Sequence, residues 1–169
     1  MKAQMTQTKN GNWHNGYFAE AINRRTSIEG LLNTILFDDC FISEKEDDWE
    51  KSECPYRNAN DFLHGSCDIF SVVLNNIYGY SVYEVVGENG TSIHWFTIKK
   101  VHGRTFYIDV RGATTDKEEF FSEYKGAMNS SFTIEQRTGD ELVVLDRWAE
   151  TGRMFAHYII SLSNGIYEI

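Results

Sequence analysis

Residues 93–110 read Ile-His-Trp-Phe-Thr-Ile-Lys-Lys-Val-His-Gly-Arg-Thr-Phe-Tyr-Ile-Asp-Val. β-Branched and aromatic residues fill both halves, Ile93 to Val101 and Arg104 to Val110, and His102-Gly103 parts them by the two residues of a tight hairpin. Pairing Val101 with Arg104 across the turn puts His94 opposite Arg111. Asp109, two residues from that partner, then shares a face with His94. Such diagonal neighbours lie about 7–8 Å apart at the backbone and closer at Cβ, so the carboxylate reaches one imidazole nitrogen and leaves the other free. A slip of one residue would send the two side chains to opposite faces.

Working outward, Val82 to Val86 is a further apolar strand and Gly87-Glu88-Asn89-Gly90 a turn cluster, which makes a three-stranded antiparallel meander. The segment before it has helical period. Phe70, Val73, Leu74, Ile77 and Tyr78 form a stripe that starts after His64-Gly65-Ser66 and stops at Gly79, with Cys67 in its first turn. An earlier helix is expected from about Ser27 to Phe37, opened by the capping box Thr26…Glu29. Downstream, Asp116 opens a short helix over 116–124, and Ser131 to Glu135 and Leu142 to Leu145 read as strands. Asp146 caps a last helix striped by Trp148, Gly152, Phe155, Ile159 and Leu162 and closed by Asn164-Gly165. Helices, then a sheet, then a helix give the α+β class. The first sixteen residues are polar and read as a flexible arm, and 17–169 as a single domain.

Composition bounds the function. A 169-residue chain with 41% hydrophobic and 24% charged residues suits one globular domain, and a single Pro excludes a Pro-rich spacer. The net charge of −9 argues against direct binding to a nucleic-acid backbone. Much of it is local: Asp38, Asp39, Glu44, Glu46, Asp47, Asp48, Glu50 and Glu53 stand against Lys45 and Lys51. This acidic 38–53 segment reads as a solvated loop, with a basic protein partner as the sharper alternative. No run is long enough for a membrane span, and Met1 to Asn15 lacks a signal-peptide core, so a cytoplasmic protein is expected, with delivery into a host cell by another route left open. Cys40, Cys54 and Cys67 show no CxxC spacing, and at least one thiol must stay free.

Cys67 carries the chemistry. A thiol becomes a strong nucleophile as thiolate, and the first turn of a helix favours that anion through its free N–H groups. A Cys on an apolar stripe beside Phe70 and Leu74 is also a good small core residue. The helix that leads into the meander would cover it and bring Cys67 toward His94 and Asp109, so that imidazole takes the thiol proton and carboxylate fixes the tautomer. The Cys67 N–H supplies one oxyanion donor, and the side-chain amide of Asn60, or of the neighbouring Asn58, is the candidate for a second. Trp95 would wall a substrate cleft. Arg111 would hold a substrate carboxylate or, as a strand-end residue, pair with Asp109. Replacing Asp109 by Ala is expected to weaken catalysis and leave the fold intact.

The run Gly65-Ser66-Cys67-Asp68-Ile69-Phe70, the helix end Tyr78-Gly79-Tyr80, Ile93-His94-Trp95-Phe96 and Tyr107-Ile108-Asp109 together resemble the core of papain-like cysteine hydrolases, in particular their transglutaminase-like branch. The resemblance covers about residues 60–124 and departs from the pattern in having no Trp beside Cys67 and no Pro after the Asp. It implies a papain-like (transglutaminase-like) fold with Cys67, His94 and Asp109 as triad, acting on a protein or peptide amide by hydrolysis, deamidation or acyl transfer. No cofactor is expected. A metal site is disfavoured too, since His94 and His102 lie far apart along the hairpin and no HxH or HExxH spacing occurs. The competing expectation is a non-catalytic acidic protein that occupies a basic partner.

Overall fold

The structure is a computed structural model that describes residues 28–42, 46–128, 131–163 and 165–169. At its centre is an antiparallel sheet of five strands: β1 (Ser81–Gly87), β2 (Ser92–Val101), β3 (Arg104–Asp109), β4 (Gly112–Thr114) and β5 (Phe132–Arg137), ordered β4-β3-β2-β1-β5. The helices are α1 (Ile28–Leu32), α2 (Asp48–Ser52), α3 (Asp61–His64), α4 (Cys67–Tyr78), α5 (Lys117–Phe120) and α6 (Ala149–Leu162), with 3₁₀ turns at Asp39–Phe41, Ser122–Tyr124 and Gly139–Leu142. The α+β class holds. No described helix is long and apolar enough to cross a membrane.

The central hairpin has the expected register. Val101 pairs with Arg104 and Thr97 with Ile108, and His102 and Gly103 both take positive φ, +50° and +78°, as a type I′ turn requires. The far end differs from expectation. β3 stops at Asp109, and the chain folds back through Val110-Arg111 so that Asp109 pairs with Gly112. Arg111 therefore never pairs with His94. Tyr167, fully buried, donates its hydroxyl to the Val110 carbonyl at 2.7 Å and pins this turn from the C-terminal end of the chain.

Strand alternation puts His94, Phe96, Tyr107 and Asp109 on one face of the sheet. Phe120, Phe121 and Tyr124 close over that face, with Phe96–Phe121 and Tyr107–Phe120 ring centroids 5.4 and 5.5 Å apart. Asp116 caps α5 as expected, accepting the Glu119 N–H. Among the helices, Tyr56, Phe62, Phe70 and Phe155 build a second aromatic cluster. Gly152 of α6 lies hard against the Tyr56 hydroxyl, where a side chain would collide. At the other end of α4, Gly79 takes φ +69° and ends the helix.

Three expectations need correction. The first described helix ends at Leu32, because Thr34 turns its hydroxyl back onto the Leu31 carbonyl and Leu36 leaves to bridge Asn58. Its proposed capping residue Thr26 lies outside the described residues, as do the 1–16 arm and Asn164. Residues 142–145 form no strand: a capping box between Thr138 and Glu141 turns the chain, just after β5, into the 3₁₀ helix Gly139–Leu142. The described part of the acidic segment is not a loop throughout. Asp47 and Glu50 form a reciprocal capping box that starts α2, and Arg147 reaches Glu46, Glu50 and Glu53 at 3.0–3.3 Å. Glu44 and Lys45 lie outside the described residues.

Candidate active site

Cys67 is the first residue of α4, half-buried. The β2–β3 ladder ends at Thr97–Ile108, and two residues beyond it the backbone N–H of Trp95 donates to Cys67 Sγ at 3.3 Å. The sulfur therefore sits on the amide of the residue that follows His94. Burial pushes the thiol up to about 12, against the opposing pull of the N–H groups of Trp95 and Asp68. At neutral pH the resting group is a thiol. The three cysteines are all free.

His94 is fully buried on β2. Its Nε2 lies 3.0 Å from Asp109 Oδ2, and its Nδ1 is buried with no hydrogen-bond partner. Burial lowers the proton affinity of the ring below the ordinary histidine value; Asp109 opposes this and Arg111 reinforces it. Burial alone would raise Asp109, but the Arg111 guanidinium and the N–H groups of His94 and Arg111 more than offset it and hold the carboxyl far below the usual carboxylate range. An ionised carboxylate can only accept. The proton of a neutral His94 must then sit on Nε2, which leaves Nδ1 with a free lone pair, the form a general base needs.

Asp109 is held from two sides. Besides His94 it accepts the Arg111 backbone N–H at 2.9 Å, Nε at 3.1 Å and Nη2 at 2.7 Å. Arg111 is itself buried, donates to the Phe120 carbonyl at 3.0 Å and reaches Glu123 at 3.3 Å. Of the two expectations for Arg111, pairing with Asp109 is the one the structure shows; the exposed strand end and the substrate-carboxylate role are not, because the two-residue fold-back at Val110-Arg111 buries the guanidinium and aims it onto Asp109. Its effect on the chemistry is indirect, because it holds the orienting carboxylate ionised.

Trp95 and Asn60 contribute differently from what their side chains suggested. Trp95 points to the opposite face from His94 and donates Nε1 to Ser92 Oγ at 3.1 Å; what it gives the thiol is a backbone N–H. Asn60 precedes α3, with its Oδ1 buried and unpartnered, and no hydrogen bond joins it to Cys67. The structure brings Cys67, His94 and Asp109 to one end of the sheet but makes no hydrogen bond between Sγ and the ring.

One residue escaped the sequence reading. Tyr124 lies against the imidazole with ring centroids 4.3 Å apart and planes 19° apart, and its hydroxyl is 3.3 Å from Nε2. In sequence it is the last residue of a short helical pattern, and nothing there marks it as different from Phe120 or Phe121. His64 is exposed at the end of α3, in keeping with a solvated histidine. Among the described residues no cluster of three or more His, Cys, Asp and Glu could hold a metal ion. Comparison with protein-family models, curated proteins and solved structures gives no match, so the arrangement is interpreted on its own geometry.

Proposed function

We propose that this protein is a thiol-dependent hydrolase or acyl transferase acting on an amide, a peptide bond, an isopeptide bond or a glutamine side chain, with Cys67 as nucleophile, His94 as proton carrier and Asp109 as its orienting group. The observation that carries this reading is the state of His94: Nε2 held by an ionised carboxylate, Nδ1 buried without a partner, and a thiol seated on the next residue's N–H. Such a pair is uncharged at rest. As Sγ attacks the amide carbonyl carbon, the thiol proton passes to Nδ1; the imidazolium then protonates the departing nitrogen, leaving a thioester. Water or an amine attacks the thioester carbonyl and gives its proton to Nδ1; the C–S bond breaks, the acyl group leaves as the acid or a new amide, and Nδ1 returns the proton to the thiolate. The N–H of Cys67, in the first turn of α4, serves as an oxyanion donor in this reading.

A second reading draws on a specific observation: the Cys67 thiol is pushed up to about 12 and makes no hydrogen bond to the ring. It makes Cys67 a core thiol and the protein a non-catalytic acidic partner of a basic surface. Incubation with a panel of peptide and glutamine amides, followed by mass spectrometry of Cys67, separates the two. The enzyme reading expects a thioester adduct on wild type that is lost in His94→Ala; the binding reading expects no adduct on either.

A further inference from the structure

Tyr124 is buried, and its hydroxyl is near two groups: His94 Nε2 at 3.3 Å and the Leu63 carbonyl at 3.5 Å. The roles follow from Asp109. Since Asp109 accepts the Nε2 proton, Nε2 has no lone pair to offer, and Tyr124 cannot donate to it. A carbonyl can only accept, so the Tyr124 O–H is directed to Leu63, and the stacked phenol sets its oxygen over Nε2, off the ring plane in which Nε2–H points to Asp109. The phenol ring meanwhile covers the imidazole face at 4.3 Å, and Arg111 lies over the same phenol ring at 5.7 Å.

We infer that Tyr124 is a positioning residue for His94: its ring lies flat on the imidazole and holds it in the orientation in which Nε2–H meets Asp109, leaving Nδ1 free, and its oxygen, set over Nε2, favours the protonated ring electrostatically. The catalytic consequence rests on the proposed function; the placement of the proton does not. The negative end of the phenol dipole 3.3 Å from Nε2 favours the imidazolium over the neutral ring. Tyr124 therefore offsets part of what burial and Arg111 take from the basicity of His94. Asp109, already engaged by Arg111, and the charge of Glu123 offset a further part, and the affinity still stays below the ordinary histidine value.

The test uses ¹⁵N-histidine NMR of the whole chain, with Tyr124→Phe, which keeps the ring and removes the oxygen. Wild type is expected to carry its neutral-ring proton on Nε2, and Tyr124→Phe to lower the proton affinity of His94 about two- to threefold, the low end of the scale of one hydrogen bond. Site-specific 3,5-difluorotyrosine at 124, a weaker acceptor that keeps the hydroxyl, should move the titration the same way by less, and it serves should Tyr124→Phe not fold. A wild-type proton on Nδ1, or a titration unmoved by either variant, overturns the inference. Failure of the proposed function reads out separately: a shifted His94 titration combined with Cys67 alkylation that ignores His94→Ala would refute the enzyme and leave Tyr124 in its assigned role.

Discussion

Replacing Asp109 by Asn changes one oxygen to an amide nitrogen in a site where every close neighbour is a donor. His94 Nε2 approaches one oxygen at 3.0 Å, and Arg111 approaches both through its backbone N–H, Nε and Nη2 at 2.7–3.2 Å. Whichever way the amide turns, its NH₂ meets a donor, and the Arg111 guanidinium, itself buried, loses its counter-charge. Removing one member of a buried pair costs about 3–5 kcal/mol; the Phe120 carbonyl and Glu123 remain on Arg111, which places Asp109→Asn near ~3 kcal/mol. With a urea slope of about 2 kcal/mol/M, the unfolding midpoint should fall by about 1.5 M. Adding Arg111→Met should recover part of this loss, since the second change removes the stranded cation. A loss under about 1 kcal/mol, or a double variant whose loss is the sum of the two single ones, would refute the coupling. This revises the sequence-based expectation that Asp109→Ala leaves the fold intact: the residue that orients His94 also neutralises a buried cation.

Gly152→Ala should destabilise by about 1–3 kcal/mol, because the added methyl would collide with the Tyr56 hydroxyl and ring and with Ile69; an unchanged melting temperature would contradict that packing. Stability should depend on pH through His94, Asp109 and Cys67. The lowered affinity of His94 gives stability that is full above about pH 6.5 and is lost as pH falls below it, and Asp109 adds a loss of the same sign below about pH 4. Cys67 works oppositely: with its folded value near 12, its contribution is full below about pH 8.5 and is lost as pH rises from there. Urea midpoints between pH 5 and 8 should accordingly fall toward pH 5 in wild type and much less in His94→Gln; equal slopes would remove His94 as the cause.

The parts legible in the sequence are those set by local chemistry. Alternating β-branched and aromatic residues around a two-residue turn fixed the β2–β3 register, and with it the shared face of His94 and Asp109; the stripe ending at Gly79 fixed the helix that begins with Cys67. What was not legible depends on contacts distant in sequence. Leu142 to Leu145 has the composition of a strand, but Val143 and Leu145 stay exposed and the segment joins none of the described strands. The pairing of Arg111 with Asp109 was among the expectations, but its burial was not, since that comes from the fold-back into β4. Tyr124 reaches His94 across 30 positions of chain, and no local pattern separates a phenol over an imidazole from any other core aromatic.

Alkylation of Cys67 by iodoacetamide across pH, in wild type and in His94→Ala, probes the pairing of thiol and imidazole directly. If His94 takes the thiol proton as Sγ attacks, wild type is alkylated at neutral pH although its resting thiol ionises only near 12, and the substitution abolishes that neutral reactivity. Two superimposable curves, each climbing only as strong alkali ionises the sulfur, would mean that ring and thiol are neighbours without being partners.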